Sequence, residues 1–431
     1  MRTRGLFLIL LLGAAGVMAG GHGCNTYDES LLAGEPTERP PIKNGIGWWS
    51  KNDSRGCFSA GMPRPEDRPK PAGDKDVGPI VLAISSMRLG SLNEQGAVDQ
   101  NAWQDMGLDL DGVCTASETC TSEDPPPSCK AGASQLPRDG KYCRDNTFGK
   151  LEYSAALVPQ LAKKYGLSDD AFNCALCVGH YTFLIRITGY NGEPNDDRIR
   201  IDLYPSPGLE RPLPWDCTQS SWSTQPCFTP DMPWTVQEEV LAEKRGGPDL
   251  PDSKIFSADA YVRDGYLVTQ LPDDTLFWFP GYKGLVVAYP IRLQRGIVVG
   301  KLLEGQDKIW RIEDGVIAGR ARQKDVIDGF RLIGFCDTND KENYELMTTF
   351  VNDNLDVLAD GRSDPNAPCD AMSMGVMFVA RQARAGRTET VAPLVECVIP
   401  KTGPDAGAAD DASVDQPADA GVDSGTPDGG S

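Results

Sequence analysis

Apolar and polar residues alternate along several short stretches in the middle of the chain, and this alternation is typical of β-strands with one buried face. In Arg198–Tyr204 the apolar residues Ile199, Ile201 and Leu203 alternate with polar ones. Apolar, β-branched runs bounded by Gly, Pro or Asp predict further strands. These are Pro79–Leu89, Tyr181–Thr188, several runs between Ala258 and Leu303, Met372–Ala380 and Val391–Val398.

Two other stretches repeat apolar residues every three or four positions, which predicts amphipathic helices. They are Leu151–Tyr165, which ends at Gly166, and Glu342–Leu358, which ends at Asp360-Gly361. Because strands outnumber helices, we predict an α+β, β-dominated protein. We expect antiparallel, sandwich-like sheets with two packed helices and disulfide-braced loops.

Composition divides the chain into five segments. Proline-rich stretches predict extended linkers, and the Asp-, Ala- and Gly-rich C-terminus predicts disorder. The irregular segment Pro205–Pro233 is either a long excursion or a domain boundary. The predicted segments are a signal peptide (1–23), an extended linker (24–76), a β-rich domain with a cysteine-rich loop (77–250), a β-rich domain with one helix (251–400) and a disordered acidic tail (401–431).

The N-terminus has the pattern of a secretory signal. Arg2 and Arg4 precede the apolar run Leu6–Val17, which is too short to span a bilayer. Cleavage is expected either after Ala19 or before Cys24, where Gly23-Cys24 resembles a bacterial lipobox. Lipidating Cys24 leaves 13 − 1 = 12 cysteines, an even number that suits pairing in an exported chain. We therefore predict a lipid anchor at Cys24, in the cell envelope and at the outer membrane, with plain secretion as the alternative.

The net charge of the 431-residue chain is -20, which bears on its partners. Nucleic-acid phosphates require clustered Lys and Arg, so no nucleic-acid partner is expected. The same charge argues against docking on anionic lipid through a basic surface. The expected membrane contact is the lipid anchor alone.

The other twelve cysteines are predicted to form six disulfides. Cys217–Cys227 and Cys336–Cys369 are the candidate pairs, because each brackets an irregular Pro- or Asp-rich segment. Cys174 and Cys177 form a CxxC motif, but a helical pattern precedes it and a strand follows, the reverse of a redox dithiol site. We interpret both as ordinary half-cystines, with a thiol oxidoreductase as the third functional class.

The cysteine-rich stretch Gly107–Gly149 contains a candidate calcium site. Asp109 and Asp111 precede Gly112 in a DLDG sequence, where alternate carboxylates reach one point and Gly permits a tight turn. The remaining candidate ligands are Asp139, Asp145 and Asn146. Because the full EF-hand spacing is absent, an ordinary turn without a cation is the alternative.

Aromatic residues offer a second candidate site. Phe277, Trp278 and Tyr282 predict either a platform on which sugars stack or, since aromatics in strands are usually buried, part of the core. Cleavage before Cys24 leaves His180 as the sole histidine, which excludes an HExxH zinc centre. There is no GxSxG, P-loop or GxGxxG motif, and we predict no catalytic residue.

Several segments resemble uncharacterised exported lipoproteins of the myxobacterial type. They are CNTYDESLL, LAISSMRLGS, GLDLDG, DNTFG, GYNGEPNDD and CDAMSMGVMF. The resemblance covers most of residues 24–431 and implies location and architecture, without an activity. We therefore expect a lipid-anchored protein with a non-catalytic binding or structural role, and a carbohydrate-binding or carbohydrate-active protein as the alternative.

Overall fold

A computed structural model describes most of the chain between residues 47 and 397. The described residues are 47–52, 57–71, 73, 75–115, 126–132, 137–156, 169–217, 220–277, 290–332, 336–338, 340–391 and 396–397. All of them belong to one compact unit, Ile42–Ser431. The predicted signal peptide, Cys24 and the acidic tail lie outside the described residues.

The described residues form thirteen strands. They are β1 (Lys51–Asn52), β2 (Phe58–Ser59), β3 (Ile80–Arg88), β4 (Thr182–Thr188), β5 (Asp196–Ser206), β6 (Pro233–Gln237), β7 (Phe256–Arg263), β8 (Tyr266–Gln270), β9 (Thr275–Phe277), β10 (Ile291–Glu304), β11 (Trp310–Arg322), β12 (Ala371–Gln382) and β13 (Arg384–Glu389). The helices are α1 (Thr147–Ala156), α2 (Asp169–Val178), α3 (Gln323–Leu332) and α4 (Lys341–Asp353).

Eight of these strands form a closed antiparallel barrel. Around it, β3, β4, β5, β7, β8, β10, β11 and β12 each pair with the next, and β12 pairs back with β3. The closing contacts include Val299↔Val316 between β10 and β11, and Met377↔Arg88 between β12 and β3. The short strand β9 pairs with the start of β10. The predicted sandwich of two sheets is therefore wrong, because the sheet closes on itself, whereas the β-rich character is confirmed.

The barrel joins both predicted β-rich segments, 77–250 and 251–400. Strand β5 of the first pairs with β7 of the second. The boundary between the segments falls between β6 and β7. Among the described residues, no helix is both long enough and apolar enough to cross a membrane.

Alternate residues of the barrel strands enter two different buried clusters. On β12, Val376 and Phe378 join the main core, to which all eight barrel strands contribute, while Met377 joins an outer cluster. The outer cluster also contains Trp49 and Met106, so residues from the N-terminal segment cover the barrel wall. A small barrel filled by its own side chains leaves functional sites to its ends and its outer face.

Five disulfides lie within the described residues. They are Cys114–Cys143, Cys129–Cys369, Cys174–Cys217, Cys177–Cys227 and Cys336–Cys397. Disulfide bracing is confirmed, and Cys174 and Cys177 are half-cystines as predicted. Cys57 is disulfide-bonded as well.

Both predicted pairs, Cys217–Cys227 and Cys336–Cys369, are wrong. Cys174 and Cys177 lie three residues apart on α2, and each reaches one cysteine of the irregular segment. Cys369 instead bonds Cys129, whose segment is held by backbone hydrogen bonds from Lys130 N to Ala367 O (2.7 Å) and from Cys369 N to Lys130 O (3.0 Å).

Candidate metal centre

The DLDG segment lies between two other backbone segments on the outer face of the barrel. The amide of Asp109 donates to the carbonyl of Ala60 at 2.9 Å, and the amide of Asp145 donates to the carbonyl of Leu108 at 3.0 Å. The disulfide Cys114–Cys143 joins the residues that follow the DLDG segment to those that precede Asp145. Residues far apart in sequence are thereby held at one place.

Two glycines let this segment lie directly against the barrel. Gly107 has a φ of +94°, which an L side chain rarely adopts. A Cβ on Gly107 would lie 3.1 Å from Cα of Gly375 on β12, and a Cβ on Gly375 would lie 2.3 Å from Cα of Gly107. The backbone approach at this point therefore requires glycine on both sides.

Three carboxylates converge in the space that these contacts create. Asp109, Asp111 and Asp145 each place one oxygen so that the three oxygens lie within 4.8 Å of one another. Asp109 and Asp145 are buried, while Asp111 is half-buried. Three of the five predicted calcium ligands are thus brought together.

Backbone amides fix the orientation of all three carboxylates. Asp109 Oδ1 accepts from Gly112 N at 2.8 Å, and Asp111 Oδ1 accepts from Val113 N at 2.7 Å. Asp145 Oδ2 accepts from the amides of Leu110 and Asp111, at 2.6 and 3.2 Å. Asp109 Oδ2 also accepts a hydrogen bond from the Ser59 hydroxyl. A carboxylate oxygen has two lone pairs, so these bonds position the oxygens and leave capacity for a cation.

Burial and mutual repulsion disfavour the charged forms of these carboxyl groups. Burial, reinforced by the charges of Asp111, Asp139 and Asp109, raises the pKa of Asp145 well above its usual range. Burial also raises the pKa of Asp111. A bound cation would reverse this effect by favouring the ionised forms.

Two buried polar side chains, Arg320 and Ser128, lie beside the cluster. Arg320 of β11 is 1% exposed and donates from Nη2 to Leu110 O at 2.6 Å, but its Nε and Nη1 have no hydrogen-bond partner among the described residues. Burial lowers the pKa of Arg320, while Asp145 and Asp111 oppose the decrease. Ser128 is fully buried as well, and its hydroxyl lies beside the Asp111 carboxylate.

The other two predicted ligands have different roles. Asp139 accepts hydrogen bonds from the amide and the hydroxyl of Thr115, the former at 2.6 Å, and closes the base of the loop. Asn146 caps α1, since its Oδ1 accepts from Gly149 N at 3.0 Å and from Gly375 N at 2.9 Å. Its amide nitrogen donates to Trp103 O, so backbone groups engage both ends of the Asn146 amide.

The sequence does not predict the role of Asp356, a buried residue close enough to Asp111 and Asp145 to interact with their charges. Its carboxyl group accepts hydrogen bonds from Thr147 Oγ1 at 3.0 Å and from the amide and hydroxyl of Ser373 at 2.7 and 2.5 Å. Burial raises its pKa to about 7, and the charge of Asp111 contributes. A single Asp in an irregular loop has no sequence pattern that would identify it.

The predicted aromatic platform is not an exposed surface at Phe277. Phe277 is 5% exposed and its ring lies 5.4 Å from that of Phe183 in the main core. Trp278 and Tyr282 lie outside the described residues.

Comparison with known proteins gives no match among protein-family models, curated proteins or solved structures.

Proposed function

We propose that this chain is a lipid-anchored protein of the cell envelope with a non-catalytic binding or structural role, and that Ca²⁺ bound by Asp109, Asp111 and Asp145 belongs to its native state. The observation that carries the calcium proposal is the convergence of three carboxylate oxygens within 4.8 Å. Calcium takes six to eight oxygen ligands in flexible geometry, so irregular loops can supply them.

The donor set distinguishes Ca²⁺ from other metals. All three side chains offer hard carboxylate oxygens, and the buried Ser128 hydroxyl beside Asp111 adds a fourth oxygen. Zinc prefers Cys and His, but the nearest cysteines, Cys114 and Cys143, are joined in a disulfide. Mg²⁺ requires near-ideal octahedral geometry and retains several waters, which suits a backbone-fixed, partly buried cluster less well.

The cellular part of the proposal draws support from the disulfides and from the N-terminal sequence. Disulfides persist in oxidising compartments outside the cytosol, and five lie within the described residues. They are compatible with export. The N-terminal signal pattern, with Arg2 and Arg4 before the apolar run Leu6–Val17, also supports export. The lipobox-like Gly23-Cys24 supports the lipid anchor.

Calorimetric titration of Ca²⁺ into chelator-treated protein tests the metal proposal. We expect one binding site, and a stabilisation of about 2.7 kcal/mol when calcium is in hundredfold excess over its Kd. Asp111→Asn keeps an oxygen for the Val113 amide but removes a charge, so it should weaken calcium binding at least tenfold. The matched control is Asp353→Asn, an exposed Asp at the end of α4, which should bind as the wild type does.

A wild-type melting transition that neither calcium nor chelator moves would contradict the proposal. Equal binding by the Asp111→Asn and wild-type proteins would place the calcium elsewhere. Mg²⁺ binding as tight as Ca²⁺ binding would contradict the assignment of the metal.

A further inference from the structure

A separate cleft of about 620 Å³ opens at one end of the barrel. Its walls come from the bulged part of β10, the end of β11, the turn after β8 and the loop that precedes β12. This volume lies within the range of small-molecule sites. The lining combines apolar Met62, Leu271 and Ile297 with charged and amide side chains. This mixture differs from the apolar core of the barrel.

A β-bulge directs Arg295 to this cleft. The β10–β11 register shifts between Gln294 and Ile297, so Arg295 and Gly296 lie outside the regular ladder. Arg295 has a φ of +48°, which is strained for a side chain of this size. Bulges and positive-φ residues of this kind occur next to functional sites, where they re-aim a side chain.

Each of the two guanidinium groups that line the cleft donates one hydrogen bond within the protein, and its other nitrogens are available to a ligand. Arg295 Nη1 donates to Asp360 O at 2.8 Å, and Arg322 Nη1 donates to Asp274 Oδ1 at 2.9 Å. Among the described residues, the remaining side-chain nitrogens of Arg295 and Arg322 have no hydrogen-bond partner. A guanidinium with free, oriented donors matches a carboxylate in a bidentate arrangement.

The carboxylates that line the cleft are partly engaged within the protein. Asp273 Oδ1 accepts from Arg295 N at 2.9 Å, and Asp370 Oδ1 accepts from Ala359 N at 2.7 Å. Asp360 pairs with the Arg362 side chain, which lies outside the cleft lining, at 2.6 Å. The second oxygens of Asp273 and Asp370 accept no hydrogen bond from the described residues, so they are able to accept hydroxyl groups of a ligand.

We propose that this cleft binds an acidic sugar, with its carboxylate on Arg295 and Arg322 and its hydroxyl groups on Asp273, Asp370 and the Gln270 side chain. The apolar side chains Met62, Leu271 and Ile297 suit the C–H faces of the sugar ring. A neutral sugar would leave the remaining nitrogens of both guanidinium groups without a charged partner, and a simple inorganic anion would leave the carboxylates and the amide unused. The site differs from the aromatic platform predicted from the sequence and does not depend on the proposed calcium centre.

Calorimetry with trigalacturonate, and with galactotriose as its neutral counterpart, tests this inference. We expect trigalacturonate to bind at least tenfold more tightly than galactotriose. Arg322→Gln should weaken trigalacturonate binding at least fivefold, as should Arg295→Gln. The control is Arg381→Gln, an exposed Arg on β12 outside the cleft, which should leave binding unchanged.

The Arg322 side chain is 48% exposed, so its variant is expected to fold even if the bulge variant at Arg295 does not. Each titration is repeated with calcium and with chelator, so that failure of the metal proposal is seen separately. Equal binding of the acidic and neutral sugars, or unchanged binding by Arg322→Gln, would overturn the assignment. Inorganic phosphate binding as tightly as trigalacturonate would also overturn it, because the site would then select an oxyanion and not a sugar.

Discussion

Several aspartates beside the barrel wall are buried, and burial disfavours their ionised forms. Burial raises the pKa of Asp356 to about 7, and the pKa values of Asp139 and Asp145 are also raised, chiefly by burial. Arg320 donates a hydrogen bond to the backbone of the DLDG segment. In the absence of Ca²⁺ these residues make folding depend on pH.

The sign of that dependence follows from proton linkage. A carboxyl group whose pKa is higher in the folded state binds protons more strongly there, so its contribution is most favourable below the unfolded pKa and is lost as the pH rises. For Asp356 the window runs from its ordinary value of 3.8 to about 7. We predict that urea unfolding in the presence of chelator will show the free energy of unfolding falling between pH 5 and pH 7.5.

Asp356→Asn should reduce the slope of stability against pH, whatever it does to the absolute stability. The exposed Asp353→Asn should keep the wild-type slope. Saturating calcium should flatten the wild-type dependence, because the cation favours the ionised cluster. A wild-type stability that rises steadily over the same range in chelator would show that the raised pKa values do not govern it.

Among the secondary-structure elements, β11 is the strand that closes the sheet into a barrel. It pairs with β10 on one side and with β12 on the other, and so completes the barrel. Gly315 lies opposite Phe378 of β12, just after a bulge at which Asp314 has a φ of +49°. The Phe378 ring covers the glycine, and a Cβ there would lie 2.6 Å from the ring.

We therefore predict that Gly315→Ala destabilises the protein by about 1–3 kcal/mol through overpacking against a buried ring. Gly246→Ala is the matched control, since no atom lies within 4 Å of its added Cβ and its φ is not positive. That control should change the free energy of unfolding by less than about 0.5 kcal/mol. Urea denaturation measures both, and equal stability of the two variants would contradict the predicted role of the Phe378 ring.

The same strand explains why the sequence predicted the strands better than the fold. Pro79–Leu89, Tyr181–Thr188 and Met372–Ala380 correspond closely to β3, β4 and β12. The sequence of Trp310–Arg322 does not predict a strand. Charged residues and the bulge at Asp314-Gly315 interrupt the alternation of apolar and polar positions. Without that strand the sheet has two free edges, and a sandwich is the natural interpretation.

The candidate site was predictable only in part. Asp109, Asp111 and Asp145 lie in one cysteine-rich stretch whose turn chemistry is visible in the sequence. Arg320 and Asp356 come from distant segments, and only the barrel closure and the Cys129–Cys369 disulfide place those segments nearby. Long-range placement of this kind leaves no local pattern.

For the whole molecule, the proposed anchor makes a prediction that is independent of the fold. Metabolic labelling with a fatty-acid analogue should mark the wild-type protein, and Cys24→Ser should remove the label and release the protein from the membrane fraction. Cys57→Ser should retain the label, because Cys57 is a half-cystine of the folded body. An unlabelled wild-type protein recovered in the soluble fraction would contradict lipidation and favour cleavage after Ala19.

The pairing of β3 with β12 also determines when the barrel is able to form. These are the first and last strands of the barrel, and the Cys129–Cys369 bond alone joins residues 240 positions apart. If the chain is exported from its N-terminus, as proposed above, β3 has one unpaired edge until β12 has emerged, and pairing over such separations is slow. Vectorial, strand-by-strand folding during translocation therefore cannot complete this barrel. In the interval, the open edge of β3 is a surface on which another strand can pair, so the incomplete barrel is open to wrong pairing and aggregation.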